Sequence, residues 1–283
     1  MIKVLKPGFY TSIQDKGRIG FAAIGVPISG VMDSYSANLA NSILNNNLNN
    51  ALLEITFGGC KLEFLSETII CISGGDFSPK INNQLIQLNS RIKVHKNDVL
   101  SFGKIKFGAR CYLAINEGFL TEEVLKSRSF YKNITNQFLI KNDDVLPIST
   151  FKVNLKTSNT SIKPKKFHFE SEEIECYKGP EFELLNNAQK EQLENLTFTI
   201  SNDNNRMGYR LEETIENQLP SILTSAVLPG TVQLTPSGKL IVLMRDCQVT
   251  GGYPRVLQLS EKAINQLAQK TTGNKIQLKI ECL

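Results

Sequence analysis

The chain of 283 residues is long enough for one large or two modest hydrophobic cores, and 41% hydrophobic with 21% charged residues is ordinary globular composition. No run approaches the roughly 18 to 20 consecutive apolar residues of a membrane span, and the segment Met1 to Gly8 lacks the long apolar core and cleavage site of a secretory signal, so a cytoplasmic protein with no membrane partner is expected. The net charge of +5 is not gathered into a one-sign surface, because Lys163-Pro164-Lys165-Lys166 is followed by Glu170, Glu172, Glu173 and Glu175; a nucleic-acid partner is not expected.

A first strand ends at the Pro7-Gly8 turn. Gln14-Asp15-Lys16-Gly17-Arg18 then sets an amide, a carboxylate and a guanidinium around a turn glycine, and two readings stand: a loop that orients a polar substrate, or an Asp15–Arg18 pair that fixes the turn. Gly25 to Met32 is a glycine- and proline-rich approach to a helix predicted over Ser34–Leu44, with Asp33 as its cap. The helix start presents N–H groups to an anion; with Asp33 on the positive end, a bound anion belongs beside it at Ser29 and Gly30, unless the cap is structural alone.

Short β-favouring runs follow at Leu52–Phe57, Ile69–Ser73, Ile92–Val94, Cys111–Ile115, Thr197–Ser201, Thr231–Leu234 and Leu240–Met244. Glu54 interrupts the first of them and is either a solvated face residue or one lining a cleft. Ser73-Gly74-Gly75-Asp76 matches neither a P-loop nor a dinucleotide fingerprint. Helices are also predicted over Pro180–Leu193 and Ser260–Lys270, the latter capped by Ser260 and leaving through Gly273. Thr150 to Lys166 is polar, without sustained apolar periodicity, and reads as a linker. The expectation is a mainly β protein of sandwich or barrel type, divided into residues 1–160 and 161–283.

In the second half, Arg206, Tyr209 and Arg210 surround Gly208; the guanidiniums grip a carboxylate or phosphate, or they hold Glu212 and Glu213 locally. Pro236-Ser237-Gly238 joins two strands as a hairpin after Gln233, and Gly251-Gly252-Tyr253-Pro254 is a backbone bend beside a pocket wall or a structural corner. The six cysteines form no CxxC pair and read as buried thiols, and His95 and His168 lie in no ligand pattern, so no metal site is expected. There is no GxSxG elbow, no HExxH and no histidine in a nucleophile–base pattern, which argues against a self-contained hydrolase.

Four runs in order, PGFYTSIQDKGRIGFAAIGVPISGVMD, ANLAN with ALLEITFGG, SNDNNRMGYRLE, and LPGTVQLTPSGKLIVLMRDCQVTGGYPRV, resemble the allophanate hydrolase subunit 2, or biotin-dependent carboxyltransferase, family across nearly the whole chain. The resemblance implies two cyclophilin-like β-barrel halves and a subunit of an ATP-dependent 5-oxoprolinase. Its implied partners are a subunit-1-like protein and a lactam-utilisation subunit, its substrate is a small amide, and ATP is held by this chain or by a partner. Some members of that family act instead on urea or antagonise a kinase inhibitor. No covalently attached biotin is implied, because no attachment domain is seen within these 283 residues. Under this resemblance Asp15, Arg18, Glu54, Arg206, Tyr209 and Arg210 are the candidate catalytic residues. Gln14, Ser29, Gly30, Asp33, Gln233, Gly251, Gly252 and Tyr253 are the candidate substrate contacts. The sequence departs from the family pattern at Asn116-Glu117-Gly118, where a Gly-Gly pair is common, and at Lys126-Ser127-Arg128-Ser129-Phe130, where Gly-Ser-Arg-Ser-Thr is common.

Overall fold

The computed structural model describes residues 1–149, 162–163 and 165–281. The expected boundary between residues 160 and 161, and most of the expected linker, lie outside the described residues. The chain divides into two units, one of Met1–Arg18 and Ser29–Phe169, the other of Ile19–Ile28 and Glu170–Leu283.

In the first unit the strands are β1 (Ile2–Pro7), β2 (Tyr10–Gln14), β3 (Leu52–Thr56), β4 (Cys60–Phe64), β5 (Thr68–Asp76), β6 (Lys80–Ile81), β7 (Gln84–Leu85), β8 (Ile92–Val94), β9 (Val99–Ser101), β10 (Phe107–Ile115) and β11 (Val145–Leu146). They form a six-stranded sheet in the order β11-β1-β4-β9-β6-β7 and a five-stranded sheet in the order β2-β3-β10-β5-β8. Alternation along the strands explains the packing: Ile2, Val4, Leu62, Phe64 and Leu100 of the first sheet share one core with Ile13, Leu53, Ile55, Ile72 and Leu113 of the second. Each fully buried Leu or Ile stabilises by about 1.5–3 kcal/mol before entropy is counted.

The other face of the five-stranded sheet is covered by α1 (Ser34–Leu44). Ala37, Ala40 and Leu44 recur on one side of the helix and pack on Leu52, Cys71, Tyr112 and Ala114. The Asp33 carboxylate accepts from Ser36 N, as the sequence predicted for the cap, and Asn45 in the left-handed region ends the helix. A short helix, α2 (Lys166–Glu170), follows the described part of the linker region.

The remaining elements are β12 (Glu173–Lys178), α3 (Asn187–Asn195), β13 (Thr197–Asn204), β14 (Gly208–Thr214), β15 (Ser225–Ala226), β16 (Thr231–Leu234), β17 (Lys239–Leu243), β18 (Thr250–Gly251), β19 (Arg255–Leu259), α4 (Glu261–Leu267) and β20 (Lys275–Ile280). Seven of these strands close a barrel in the order β12-β19-β16-β17-β14-β13-β20, while β15 and β18 form a separate ribbon. Closure leaves no free edge and directs Ile174, Phe198, Leu211, Val232, Val242 and Leu278 away from solvent. The predicted hairpin between β16 and β17 is present.

Mainly β structure with a few short helices is what the sequence predicted. The helix predicted over Pro180–Leu193 is a correction: it breaks into a 3-10 turn at Phe182–Leu184 and α3 from Asn187, because Leu185 and Asn186 are extended and Asn186 starts a new helix through a capping box with Gln189. The last helix is capped by Ser260 as predicted but ends at Leu267, short of Lys270.

Candidate functional site

The helix-covered face of the five-stranded sheet is apolar at one end and polar at the other. Register aligns Ser12, Glu54, Tyr112 and Ser73 across four strands, with Tyr10, Thr56 and Arg110 in the next row on that face. β3 lies between β2 and β10, so Glu54 is only 1% exposed; the solvated-face reading is overturned. Its carboxylate accepts from the Met32 N–H at 2.8 Å and lies 3.8 Å from Nε of Arg110, itself buried. Burial, and then the charges of Glu54 and Asp33, push the Tyr112 hydroxyl well above its ordinary pKa, so it stays protonated. That hydroxyl oxygen accepts the Asp33 N–H at 2.8 Å.

Asp33 does more than cap α1. Its Oδ2 takes the Ser36 hydroxyl at 2.6 Å and stands 2.8 Å from Nε2 of His168, which α2 supplies from 135 residues away in sequence. A carboxylate oxygen accepts, so the His168 Nε2–H is the donor of this bond. The ring is buried and flanked by Tyr35, at 4.7 Å between centroids, and by Phe169 at 4.9 Å.

Asp15 is held by four donors: the hydroxyls of Ser127 (2.6 Å) and Ser129 (2.7 Å) and the N–H groups of Gly17 (2.8 Å) and Arg128 (2.6 Å). Arg18, fully buried, donates to the Ser129 carbonyl, so Asp15 and Arg18 converge on one serine. The departures from the family pattern at Lys126 and Phe130 therefore leave in place the Ser127, Arg128 and Ser129 groups that bind Asp15. Gly30, at φ +89°, lies so close that an added Cβ would stand 3.0 Å from both the Asp15 carbonyl oxygen and the Gly17 nitrogen. Buried Ser29 precedes it at φ 60°, and Val31 N–H donates to the Asp15 carbonyl at 3.0 Å. Gln14 donates to the Ser12 hydroxyl (3.0 Å) and the Phe130 carbonyl (3.3 Å), while its buried Oε1 receives no donor among the described residues. Thr56 Oγ1 is in the same state. Gln14, Asp15, Arg18, Ser29, Gly30, Asp33 and Glu54 are thus one connected region of the first unit.

The second-unit candidates are placed differently. Arg206 is buried and bound at two points to Asp246, at 2.8 and 2.9 Å, while Arg210 on the outer side of β14 pairs with Asp203. The local partners expected at Glu212 and Glu213 are corrected accordingly; Glu213 instead accepts from Thr199. Tyr209 points to the barrel interior. Gln233 is buried and donates to the Tyr253 carbonyl at 3.4 Å, and a Cβ on Gly251 would stand 2.6 Å from its amide nitrogen. Gly252 accepts from Ile222 N–H at 3.0 Å, and Tyr253 is partly exposed. Sequence reasoning missed Arg255, which grips Glu181 at 2.9 and 2.8 Å and holds that carboxyl below its ordinary pKa. It also missed Arg110, Tyr112 and His168, whose roles depend on register and long-range contact; only a lone Arg at the head of an apolar strand signalled the first.

The thiols of Cys60, Cys71, Cys176 and Cys247 are buried and pushed up to about 12 by that burial, so they are protonated and unreactive at neutral pH, as expected of structural cysteines. Among the described residues no group of three or more His, Cys, Asp or Glu gathers to hold a metal ion, and no helix is long and apolar enough to cross a membrane.

The fold and this region define a two-unit β protein whose helix-covered sheet buries a carboxylate–guanidinium pair beside a carboxylate–imidazole pair. The chain belongs to the family described as carboxyltransferase domain, subdomain A and B, whose model matches residues 24–280. It is 30% identical over 288 residues to a 5-oxoprolinase subunit of Escherichia coli (strain K12), covering 100% of this chain and 91% of that one. It is 45% identical over 130 residues to the urea amidolyase of Lachancea kluyveri, covering 46% of this chain and 7% of that protein. The solved K. lactis urea amidolyase superposes with a TM-score of 0.86 at 30% identity over 98% of this chain, which spans only 18% of that structure's chain.

Proposed function

We propose that this chain is one subunit of an ATP-dependent 5-oxoprolinase, opening 5-oxoproline to glutamate together with a subunit-1-like protein and a lactam-utilisation subunit in the cytoplasm. The observation that carries the proposal is the end-to-end likeness to the E. coli 5-oxoprolinase subunit, 100% of this chain on 91% of that one, against the small fraction of urea amidolyase that the chain spans. Opening a lactam requires a proton acceptor, a donor toward oxygen and stabilisation of developing negative charge. The first unit supplies chemistry of each kind: His168 fixed by Asp33, the protonated Tyr112 hydroxyl and the Arg110 guanidinium. The orphaned oxygens of Gln14 and Thr56 fit a polar ligand that donates hydrogen bonds, as a lactam N–H does. In this proposal Asp15 and Arg18 position the Ser29–Gly30 segment, and Glu54 orients Arg110.

ATP fits this chain poorly. The two guanidiniums expected to grip a phosphate, Arg206 and Arg210, are each engaged by an aspartate, and no P-loop sequence is present. The nucleotide is assigned to a partner subunit. Bound there, it supplies activation of the lactam carbonyl oxygen.

The test is reconstitution of the three subunits and measurement of glutamate formed from 5-oxoproline with ATP. Activity that needs all three and falls at least tenfold with His168→Gln supports the proposal; full activity without this chain refutes it. A second reading, carboxyl transfer to urea, is favoured by the 45% identical stretch shared with urea amidolyase. It is selected instead if the assembly carboxylates urea with bicarbonate and biotin while leaving 5-oxoproline intact.

A further inference from the structure

The solvent face of the six-stranded sheet carries a row of cations without counter-ions. Register places Lys6 opposite Lys61, Lys61 opposite Ser101, Ser101 opposite Lys80 and Lys80 opposite Leu85, a line across β1, β4, β9, β6 and β7. The next row, Val4, Leu62, Leu100 and Ile81, points into the core, so the lysine row points outward. Like charges set directly opposite each other on neighbouring strands repel. Among the described residues, no carboxylate lies within ion-pair distance of Lys6, Lys61 or Lys80, whereas Lys3 and Lys106 at the margins are paired with Asp143 and Asp76.

The same two central strands end in a pair of displayed aromatic rings. Phe9 follows β1 across Gly8 and is 75% exposed; Phe57 precedes β4 across Gly58 and Gly59 and is 38% exposed. Their rings meet edge to face at 5.5 Å. Phe57 is in the left-handed region at φ 56°, a strained state for a bulky side chain, and Gly8, Gly58 and Gly59 also have positive φ. The loops are locked together: Phe9 N–H donates to the Gly58 carbonyl at 3.4 Å, and a Cβ on Gly8 would stand 2.6 Å from that oxygen.

We propose that this face is a protein-docking surface, with Phe9 and Phe57 as the apolar anchor, Leu85 as a second anchor at the far end, and the lysine row as the complement to an acidic segment of the partner. Charge decides the occupant: three unpaired cations in line match carboxylates, and rigid rings at the margin match an apolar pocket next to them. The proposal rests on the subunit reading above and assigns this surface to the subunit-1-like protein.

The test measures binding of that purified protein to the full chain by calorimetry at 50 and 500 mM NaCl. Lys6→Glu/Lys61→Glu/Lys80→Glu is expected to weaken binding on the order of tenfold or more at low salt, with a smaller loss at high salt. The charge-matched control Lys96→Glu/Lys132→Glu/Lys141→Glu is expected to bind as the parent does. Phe57→Gly separates docking from folding, since relief of the strained φ should hold or raise the melting temperature while binding weakens. A lysine variant that binds like the parent or like its control, or a Phe57→Gly chain that melts lower and binds normally, overturns the proposal. So does a labelled single-stranded oligonucleotide bound more tightly than the subunit through the same lysines. If the parent chain forms no complex at all, the subunit reading itself fails, a result distinct from a complex that forms and ignores this face.

Discussion

Changing Glu54 to Gln isolates the charge of one buried group. The amide oxygen of Gln still accepts from Met32 N–H, which the carboxylate now does at 2.8 Å, so the main loss is attraction to Arg110. At 3.8 Å and an effective dielectric of about 20, that attraction is about 4 kcal/mol. Removing one partner of such a buried pair costs roughly 3–5 kcal/mol, because the remaining ion is left in the interior without compensation. Arg110→Met should cost a similar amount, and the double variant should fall short of the sum by roughly 2–3 kcal/mol, the signature of direct coupling. Urea unfolding followed by circular dichroism measures all four corners of the cycle; the chain has 0 Trp, so tryptophan emission is no probe. Additive losses, or a Glu54→Gln cost below about 1 kcal/mol, would refute the pairing.

Gly30→Ala should destabilise by about 2 kcal/mol or more, from the positive φ and from the 3.0 Å approach to backbone at Asp15 and Gly17; an unchanged thermal midpoint contradicts that packing. Acid should weaken the second unit through Glu181. Its carboxyl lies below the ordinary range in the folded state, so its contribution is complete above the unfolded pKa and vanishes as pH falls through the depressed one. Arg255→Met should remove about 2 kcal/mol at pH 7 and flatten the acid limb of the stability curve; an acid limb of parental slope excludes the pair as its source. In a Cys282→Ser background, Ellman's reagent at pH 8 should label native protein slowly and label urea-unfolded protein at once, since burial keeps four of the remaining thiols near a pKa of about 12. Cys111 is buried too, so rapid native labelling of any remaining thiol would contradict their burial.

Local signals carried the parts of this fold that local physics decides. Asp33 and Ser260 stand before helical runs and cap them, and Ile92–Val94 and Thr231–Leu234 are strands to the residue. The break before Asn187 was hidden because Asn186 and Gln189 form a capping box inside what reads as one helical stretch. The strands at Glu173–Lys178 and Lys275–Ile280 do alternate, with Ile174, Cys176, Ile276 and Leu278 buried, but short charged segments mask the period of two. Glu54 was legible as an oddity and illegible in its surroundings: a strand does not disclose that its neighbours are strands on both sides and a helix above. His168 sits in sequence beside a polar stretch, and only tertiary contact brings it to Asp33. Partners 135 residues apart leave no mark on each other's local sequence.

Residues 19–28 group with the second unit although they interrupt the first. On a ribosome this decapeptide emerges early, and residues 29–169 must be made before the rest of its unit exists. At typical synthesis rates that is an interval on the order of ten seconds. Over that interval the first unit gains nearly all of its own sequence while the segment waits for the remainder of its unit. The second unit is therefore completed only by a piece of chain already anchored at both ends, and a gene cut cleanly between the two halves would strand that piece on the wrong fragment.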